Sequence, residues 1–290
     1  MGDRLLLDKK PISGRDAGRE ALDQLFSEVS QYRNSREYFE MLKFISGLPI
    51  YAPYNMFLLY TQNPRLSYVA TARQWQTRFC RTVKRGARPL VILAPMSPVL
   101  FVYDMLDTEG PDIPDDVLRP FRTLGSIDQR IWENTLLNCG ANRIAVYKSP
   151  MGTRQAGSAK RINDSYSLSK EELPAPKFEI ILKDSFTKEE AYATLVHEIG
   201  HILAGHLGPL KERKVPDRSK LGRSKEEMEA ESISYIVCQR RNIVTTSAQY
   251  LSGYADQNVN LPEFSLDVVL RVAGTIEEWG KKKPKKKKEQ

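Results

Sequence analysis

Two segments near the start of the chain carry the apolar spacing of amphipathic helices. Between residues 14 and 46, apolar side chains recur at i, i+3 and i+4 positions, which places them on one face of a helix. A second helix is predicted over about 54–62, because the proline of "NPRLS" follows it. The residues that share the face of the first helix are Ala21, Leu22, Leu25, Phe26 and Val29.

The pattern changes between residues 66 and 110, where short apolar runs alternate with turn residues. The runs "YVATARQW", "KRGARPLVILAP" and "VLFVYDM" predict strands and turns that form a small sheet. The segment from 107 to 128 is rich in Pro, Gly and Asp and is predicted to connect this sheet to a second unit.

The second unit is predicted to mix helices and strands. After a helix at about 127–138, "NRIAVYKS" and "KFEIILKD" fit strands, and the segment "SPMGTRQAGSAKRINDSYS" between them is predicted to be a mobile loop or hairpin. We therefore predict an α+β protein with one domain over residues 1–115 and another over 116–280.

The net charge of +8 comes mostly from the last ten residues, "KKKPKKKKEQ", which contribute +6 through seven Lys and one Glu. Such a run buries no apolar surface, so residues 281–290 are predicted to form a disordered tail. The tail can attract polyanions, or it can serve only to keep the chain in solution. Its charge alone does not separate these two roles.

No part of the sequence predicts a membrane partner. The most apolar stretch, "PLVILAPMSPVLFVY", contains two prolines and is shorter than the roughly 20 residues that a spanning helix needs. Cys80, Cys139 and Cys238 lie far apart without a C-x-x-C spacing and are predicted to be reduced thiols. A cytoplasmic location follows as the prediction.

All three histidines of the chain fall within ten positions, in "HEIGHILAGH". Thr187 and Glu190 form a capping box, so a helix is predicted to begin near residue 188. On that helix His197 and His201 stack on one face, about 5–6 Å apart, and both imidazoles can reach one metal ion. Glu198 lies beside them, where its carboxylate can take a proton from a water molecule that attacks a carbonyl group.

A second predicted helix, "SKEEMEAESISYIVCQRR", supplies a third ligand. Glu227 and Glu231 lie four residues apart on one face of it. By similarity to the thermolysin-like arrangement, with its E-x-x-x-D spacing, Glu227 is predicted to bind the metal and Glu231 to contact the first histidine on the side away from the metal, although the two roles could be exchanged. The metal is predicted to be Zn²⁺, and Mn²⁺ or another divalent ion also suits two nitrogens and a carboxylate.

The alternative interpretation of the H-E-x-x-H motif is a core helix with a polar edge and no metal, since this pattern also occurs by chance in helical proteins. Gly200 and Gly205 weigh against it, because glycine inside a helix costs about 1 kcal/mol unless something must approach closely. His206 is predicted to be a surface residue or to lie behind the ligands. Tyr250 and Tyr254 could contact a developing oxyanion but are interpreted as packing residues.

Residues 73–88, "RQWQTRFCRTVKRGAR", contain six basic residues and no acidic residue, interleaved with Trp75 and Phe79. Aromatic rings that stack on bases beside cations that follow phosphates are typical of single-strand binding. The alternative, which the residues alone favour, is that Trp75 and Phe79 are core residues of a short helix with a solvated outer face.

The motif "HEIGHILAGH", followed by "EMEAESISYIVCQRRNI" and "YLSGYA", resembles the metallopeptidase half of the ArdC antirestriction proteins, itself similar to the ImmA/IrrE metallopeptidases. The segments "YNMFLLYTQNP", "VATARQWQTRFCRTVKRGARPLVILAP" and "VYDMLDTEG" resemble the ArdC-like N-terminal domain. The resemblance implies a small α/β domain that binds single-stranded DNA, followed by a zincin-like, gluzincin-type metallopeptidase domain. The DNA contacts it suggests are Arg73, Arg81, Lys84 and Arg85.

The function that follows is that of a DNA-binding zinc metallopeptidase of a mobile element that protects incoming DNA from restriction. One alternative is a regulatory peptidase that cleaves a repressor or another unidentified protein substrate. Another is a DNA-binding protein whose zinc only stabilises the fold. Glu198 separates the last alternative from the others, because a structural site leaves its carboxylate without a task.

Overall fold

The computed structural model describes residues 35–47, 49–94, 99–113, 125–150, 156–162, 175–245, 247, 251 and 264–284. Within these ranges the chain forms helices and small sheets in mixed order, which confirms the predicted α+β class. The helices are α1 (Ser35–Gly47), α2 (Pro53–Gln62), α3 (Ala72–Phe79), α4 (Gln129–Ala141), α5 (Lys188–Ala204), α6 (Arg223–Gln239) and α7 (Leu266–Lys281).

Within the described residues the strands form three small sheets. One has the order β1-β4-β3 and is antiparallel, a second pairs β2 with β5, and the third has the order β6-β8-β7. In the third sheet β6 runs parallel to β8, while β7 runs antiparallel to β8 and lies at the edge. The strands are β1 (Val69–Ala70), β2 (Thr82–Val83), β3 (Leu90–Ile92), β4 (Leu100–Asp104), β5 (Thr108–Glu109), β6 (Ile144–Ser149), β7 (Gly157–Arg161) and β8 (Phe178–Lys183).

One hydrophobic cluster runs through elements on both sides of the predicted domain boundary. It contains buried side chains of α1, α2, β3 and β4 together with those of β8, α5, α6 and α7. Polar contacts cross the same boundary, since the Tyr38 hydroxyl donates to Ser232 Oγ at 2.8 Å. The core is thus shared between the two predicted units.

A buried arginine at the end of α6 ties three parts of the chain together. Arg240 Nε donates to Glu277 Oε1 on α7 at 2.7 Å, and both side chains are at least 95% buried. The two other guanidinium nitrogens donate to the backbone oxygens of Ile45 and Tyr51, at 2.9 and 2.6 Å. Every nitrogen of this buried cation is therefore paired.

The outer edge of β3 is closed by side chains of α2. The Gln62 amide both donates to and accepts from the backbone of Val91 at 2.8 Å. The Asn55 amide does the same with Leu93, at 3.0 and 2.9 Å. Two side-chain amides thus take the place of a neighbouring strand.

The predicted strand "YVATARQW" is wrong beyond its first residues. Only β1 is extended, and α3 follows it, because Thr71 and Gln74 form a capping box that begins a helix. Trp75 on α3 is fully buried, so the interpretation of this residue as core is confirmed.

The segment predicted as a mobile loop or hairpin contains β7. Its residues have little intrinsic preference for a strand, and their pairing with β8 determines the extended conformation. Predictions for residues 14–34, 114–124 and 285–290 and for Tyr250 and Tyr254 lie outside the described residues. The predicted tail began at residue 281, but α7 continues to Lys281. Among the described helices, none combines the length and the apolar character needed to cross a bilayer.

Candidate metal centre

Helix α5 presents both histidines of the H-E-x-x-H motif. It begins with the predicted capping box, in which Thr187 Oγ1 accepts from the Glu190 N–H and the Glu190 carboxylate accepts from the Thr187 N–H. It ends at Ala204, and Gly205 caps it in the left-handed region at φ 84°. The sequence argument placed Gly205 inside the helix, whereas it forms the turn that ends it.

Helix α6 packs against α5 and brings the acidic side chains to the histidines. At the contact, Gly200 lies against Ala230 and Ile233 of α6. Glu227 faces the histidines with a half-buried carboxylate, one turn before Glu231. The two helices therefore meet as the sequence predicts.

Three donor atoms converge between these helices. The Nε2 atoms of His197 and His201 are 3.1 Å apart, and Glu227 Oε2 lies 3.5 Å from the first and 3.8 Å from the second. Two ligands bound at 2.0–2.1 Å in a tetrahedral site lie about 3.3 Å apart. The three distances bracket this value, so the residues fit a small divalent ion with two nitrogen ligands and one carboxylate ligand.

The surroundings of His201 favour the protonation state that a metal ligand needs, whereas those of His197 favour the protonated ring. Burial, with the nearby rings of His197 and His206, lowers the pKa of His201 to about 3. Its imidazole is therefore neutral near pH 7, as a metal ligand must be. Burial also lowers the pKa of His197, but the hydrogen bond with Glu227 and the charge of Glu231 outweigh it and raise the pKa overall.

Glu231 occupies the position that the sequence argument gave it. Its Oε1 lies 3.7 Å from Nδ1 of His197, on the side of the ring away from Glu227. The geometry therefore favours Glu227 as the ligand and Glu231 as the group behind His197, over the exchanged roles.

A buried polar group lies behind His201: it includes His206, for which this was one of the two predicted places, and Glu229 and Arg218, which the sequence argument missed. His206 lies buried with Nδ1 2.9 Å from Nδ1 of His201, and its Nε2 lies 2.9 Å from Glu229 Oε2. The fully buried Glu229 also accepts two hydrogen bonds from Arg218 at 2.6 Å and one from the backbone N–H of Ser265 at 2.8 Å. The only signal in the sequence was a third glutamate in "EMEAE", on the inward face of α6.

Glu198 lies between α5 and the edge strand β7. Burial raises the pKa of its carboxyl group, as does the nearby Glu227, while His197 and a hydrogen bond from the Ala159 N–H oppose the change. Gly157 leaves room for this approach, since a Cβ there would lie 2.5 Å from Thr194 Cγ2 and 3.4 Å from Glu198 Oε1. The carboxylate is thus held beside the ligands without being one of them.

The edge of β7 that faces Glu198 is open. Hydrogen bonds of an antiparallel pair alternate between the two sides of a strand. The Lys183 N–H donates to the Ala156 oxygen, and the Ile162 N–H donates to the Lys177 oxygen, so even-numbered residues pair with β8. In the described part of the chain no strand pairs with the other side. The residues whose backbone groups point to that side are Gly157, Ala159 and Arg161.

The residues predicted to contact DNA fall into two groups. Arg73 and Arg85 are exposed. Arg81, by contrast, donates to the Thr108 hydroxyl and to three backbone oxygens between residues 108 and 111. Lys84 Nζ donates to the Leu106 oxygen at 2.9 Å. Arg81 is therefore held by contacts within the sheet region, whereas Lys84 makes one such contact and its side chain stays exposed.

The structure offers another aromatic side chain in place of the buried Trp75. Phe101 of β4 is 53% exposed and lies opposite Val91, which is 37% exposed, on the neighbouring strand β3. Sequence analysis missed Phe101 because "VLFVYDM" alternates too weakly to show which face is covered.

Comparison with known proteins adds little to this description. No protein family and no curated protein matches the sequence. A metal-free crystal structure of the antirestriction protein ArdC from plasmid R388 is similar to the chain, with a TM-score of 0.41 and 14% sequence identity. The match covers 92% of this chain and 96% of that one.

Proposed function

We propose that this protein is a metal-dependent peptidase with zinc held by His197, His201 and Glu227. The convergence of their three donor atoms at tetrahedral spacing is the observation that carries the proposal. A divalent ion at this position supplies Lewis-acid chemistry at a carbonyl or water oxygen.

Glu198 acts as the general base in this proposal. Its carboxylate takes a proton from the attacking water and passes that proton to the leaving amine. Burial and the neighbouring Glu227 raise the pKa of its carboxyl group, which makes it a stronger base than an exposed glutamate. Glu231 orients His197 from behind and takes no part in proton transfer.

The substrate that fits the site is an extended peptide. The backbone groups of Gly157 and Arg161 and the carbonyl oxygen of Ala159 point away from β8 and can pair with a segment that adds to the edge of β7. The Ala159 N–H already contacts Glu198, so a paired peptide passes beside the general base. A disordered segment of a regulatory protein meets this requirement better than a folded domain does.

The test compares wild type with His201→Ala and Glu198→Gln for metal content and for hydrolysis of unfolded protein substrates. We expect about one zinc per chain in the wild type and in Glu198→Gln, and none in His201→Ala. Glu198→Gln should lower hydrolysis by roughly 10²- to 10⁴-fold, the usual contribution of a general base.

Two outcomes would contradict the proposal. If the purified wild-type protein contained no metal, the proposed metal centre would be wrong. If Glu198→Gln kept both full peptide hydrolysis and full antirestriction activity, zinc would be a structural ion rather than a catalytic one. The resemblance in sequence motifs makes antirestriction in a bacterial cytoplasm the setting in which both activities should be assayed.

We also propose that the region from 65 to 110 binds single-stranded DNA. The observation that favours it is an exposed aromatic ring, Phe101, on a small sheet whose neighbouring segment carries the exposed Arg73 and Arg85. Arg81 contributes positive charge from a side chain held by backbone contacts, and Lys84 adds an exposed ammonium group that donates to the Leu106 oxygen.

Titration of a labelled oligonucleotide at several salt concentrations tests this second function. Arg73→Glu and Arg85→Glu should each weaken binding and lower the salt slope by about 1. Phe101→Ala should cost about 1–3 kcal/mol if a base stacks on the ring. The controls are Leu106→Ala, an exposed apolar residue without a ring, and Arg271→Glu on α7. Equal loss in the controls would show that no particular surface is used.

A further inference from the structure

We propose that His206 is a positioning residue that holds His201 in the tautomer with its proton on Nδ1. The lone pair of His201 then lies on Nε2, the atom that faces His197 and Glu227. The inference rests on the proposed metal centre and adds to it a buried chain of contacts, from His201 through His206 to Glu229.

The chain begins at Glu229, whose carboxylate can only accept hydrogen bonds when ionised. Arg218 donates two hydrogen bonds to this carboxylate and the Ser265 N–H donates a third, and this set of donors matches the ionised form. An ionised Glu229 requires a donor at the nitrogen that touches it. Nε2 of His206, 2.9 Å from Oε2, therefore carries a proton.

The state of the other nitrogen of His206 follows from charge. Arg218 already neutralises Glu229 through two hydrogen bonds of 2.6 Å, on a carboxylate that is fully buried. A second cation beside it would be buried without a counter-charge, which is costly. With its one ring proton on Nε2, beside Glu229, His206 carries a lone pair on Nδ1.

This lone pair determines the tautomer of His201. Nδ1 of His206 and Nδ1 of His201 are 2.9 Å apart, so one of them donates to the other. Because His206 accepts there, His201 donates from Nδ1, and its Nε2 is free to bind a metal ion.

The backbone fixes this arrangement. The left-handed turn at Gly205 reverses the chain, and the His206 N–H donates to the His201 oxygen at 3.0 Å. The Gly205 oxygen accepts from the Arg218 N–H at 2.9 Å, and Arg218 Nη1 donates to the Ala204 oxygen at 3.1 Å. The end of α5 and residue 218 are thus joined on the side of His201 away from the ligands.

Nuclear magnetic resonance of metal-free protein with ¹⁵N-labelled histidine tests the inference directly. The chain has three histidines, so the spectrum contains three imidazoles, which single substitutions assign. At a pH above the usual range of histidine pKa values, His201 should carry its proton on Nδ1. Wild-type protein with the proton on Nε2 would overturn the proposal without any variant.

Two variants test the cause. His206→Phe fills a similar volume but accepts no hydrogen bond, so the Nε2-protonated form of His201 should increase. In a zinc titration its dissociation constant should rise roughly 10- to 100-fold, the usual effect of removing a group behind a ligand. His206→Gln, whose amide oxygen can accept from Nδ1, should lose less affinity than His206→Phe does. An unchanged tautomer in folded His206→Phe would overturn the proposal, as would equal zinc affinity.

The outcomes separate this inference from the proposed function. If the wild type binds no zinc while His201 keeps its proton on Nδ1 and His206→Phe shifts it, the metal centre fails and the positioning role stands. If zinc binds equally well to wild type and to His206→Phe, the metal centre stands and the positioning role fails.

Discussion

At the scale of single residues, Gly200 and Gly205 serve different purposes although both belong to the same motif. Gly205 ends α5 at φ 84°, and a Cβ there would lie 2.2 Å from the Pro216 backbone oxygen. Gly200 lies within the helix, where the nearest atoms to a Cβ would be 3.6 Å away on Ile233. Only Gly205 is required by the backbone.

We expect Gly205→Ala to lower the free energy of unfolding by about 1–3 kcal/mol, because it combines a strained φ with a backbone clash. Gly200→Ala is the matched control and should raise stability by up to about 1 kcal/mol, since alanine favours a helix interior. Urea denaturation of metal-free protein measures both. Similar losses in both variants would show that α5 and α6 pack too closely for a methyl group.

Sequence alone predicted the residues that spacing on a helix brings together. His197, His201 and Glu198 follow from the motif, and Glu227 follows from the acidic face of a second helix. Glu229 and Arg218 did not, because their roles depend on contacts across the bend after Gly205 and with the start of α7. Such contacts between distant segments leave no periodic signal.

At the scale of elements, the predictions failed or left alternatives open where local capping or distant pairing overrides composition. The capping box of Thr71 and Gln74 begins α3 within a run that alternates like a strand. In β7, glycine and serine left a mobile loop and a hairpin as alternatives, and the antiparallel pairing with β8 favours the hairpin. By contrast α5 and α6 carry long apolar faces and were predicted to within a few residues.

Because hydrogen bonds alternate along β7, proline substitutions at two adjacent residues should affect different properties: one should lower peptide hydrolysis and the other the stability of the sheet. Ala159→Pro removes an N–H that points to Glu198 and away from β8, so the sheet should persist while peptide hydrolysis falls. Ser158→Pro is the control, because it removes an N–H that pairs with β8. It should cost at least about 1 kcal/mol more in the free energy of unfolding. Greater destabilisation by Ala159→Pro than by Ser158→Pro would mean that the odd-numbered residues of β7 pair with β8 instead.

At the scale of the whole molecule, the shared core indicates that the two predicted units fold together. Arg240 illustrates the coupling, since it leaves α6 and contacts α7 and the backbone near α1 and α2. Residue 115 divides the region proposed to bind DNA from the region proposed to bind metal, but the hydrophobic cluster continues across this boundary.

We expect Arg240→Met to lower the free energy of unfolding by about 3–5 kcal/mol, because Glu277 is left buried without its partner. Replacing both Arg240 and Glu277 with Met should restore much of the loss. Lys282→Met breaks an exposed ion pair with Glu278 and should change stability by less than about 0.5 kcal/mol. Chemical denaturation measures all three, and a small loss in Arg240→Met would show that the segments from 35 to 62 fold without this contact.

The difference between the edges of β3 and β7 also bears on self-association. The edge of β3 is closed by the amides of Asn55 and Gln62, so it offers no template to a second chain. The edge of β7 is open, but it carries the exposed cation Arg161, while the exposed Lys160 is paired with Glu179 at 2.8 Å. If two copies paired through their β7 edges, like charges of the two chains would come close together. This repulsion opposes fibre-like self-association, while the edge stays open to a single peptide.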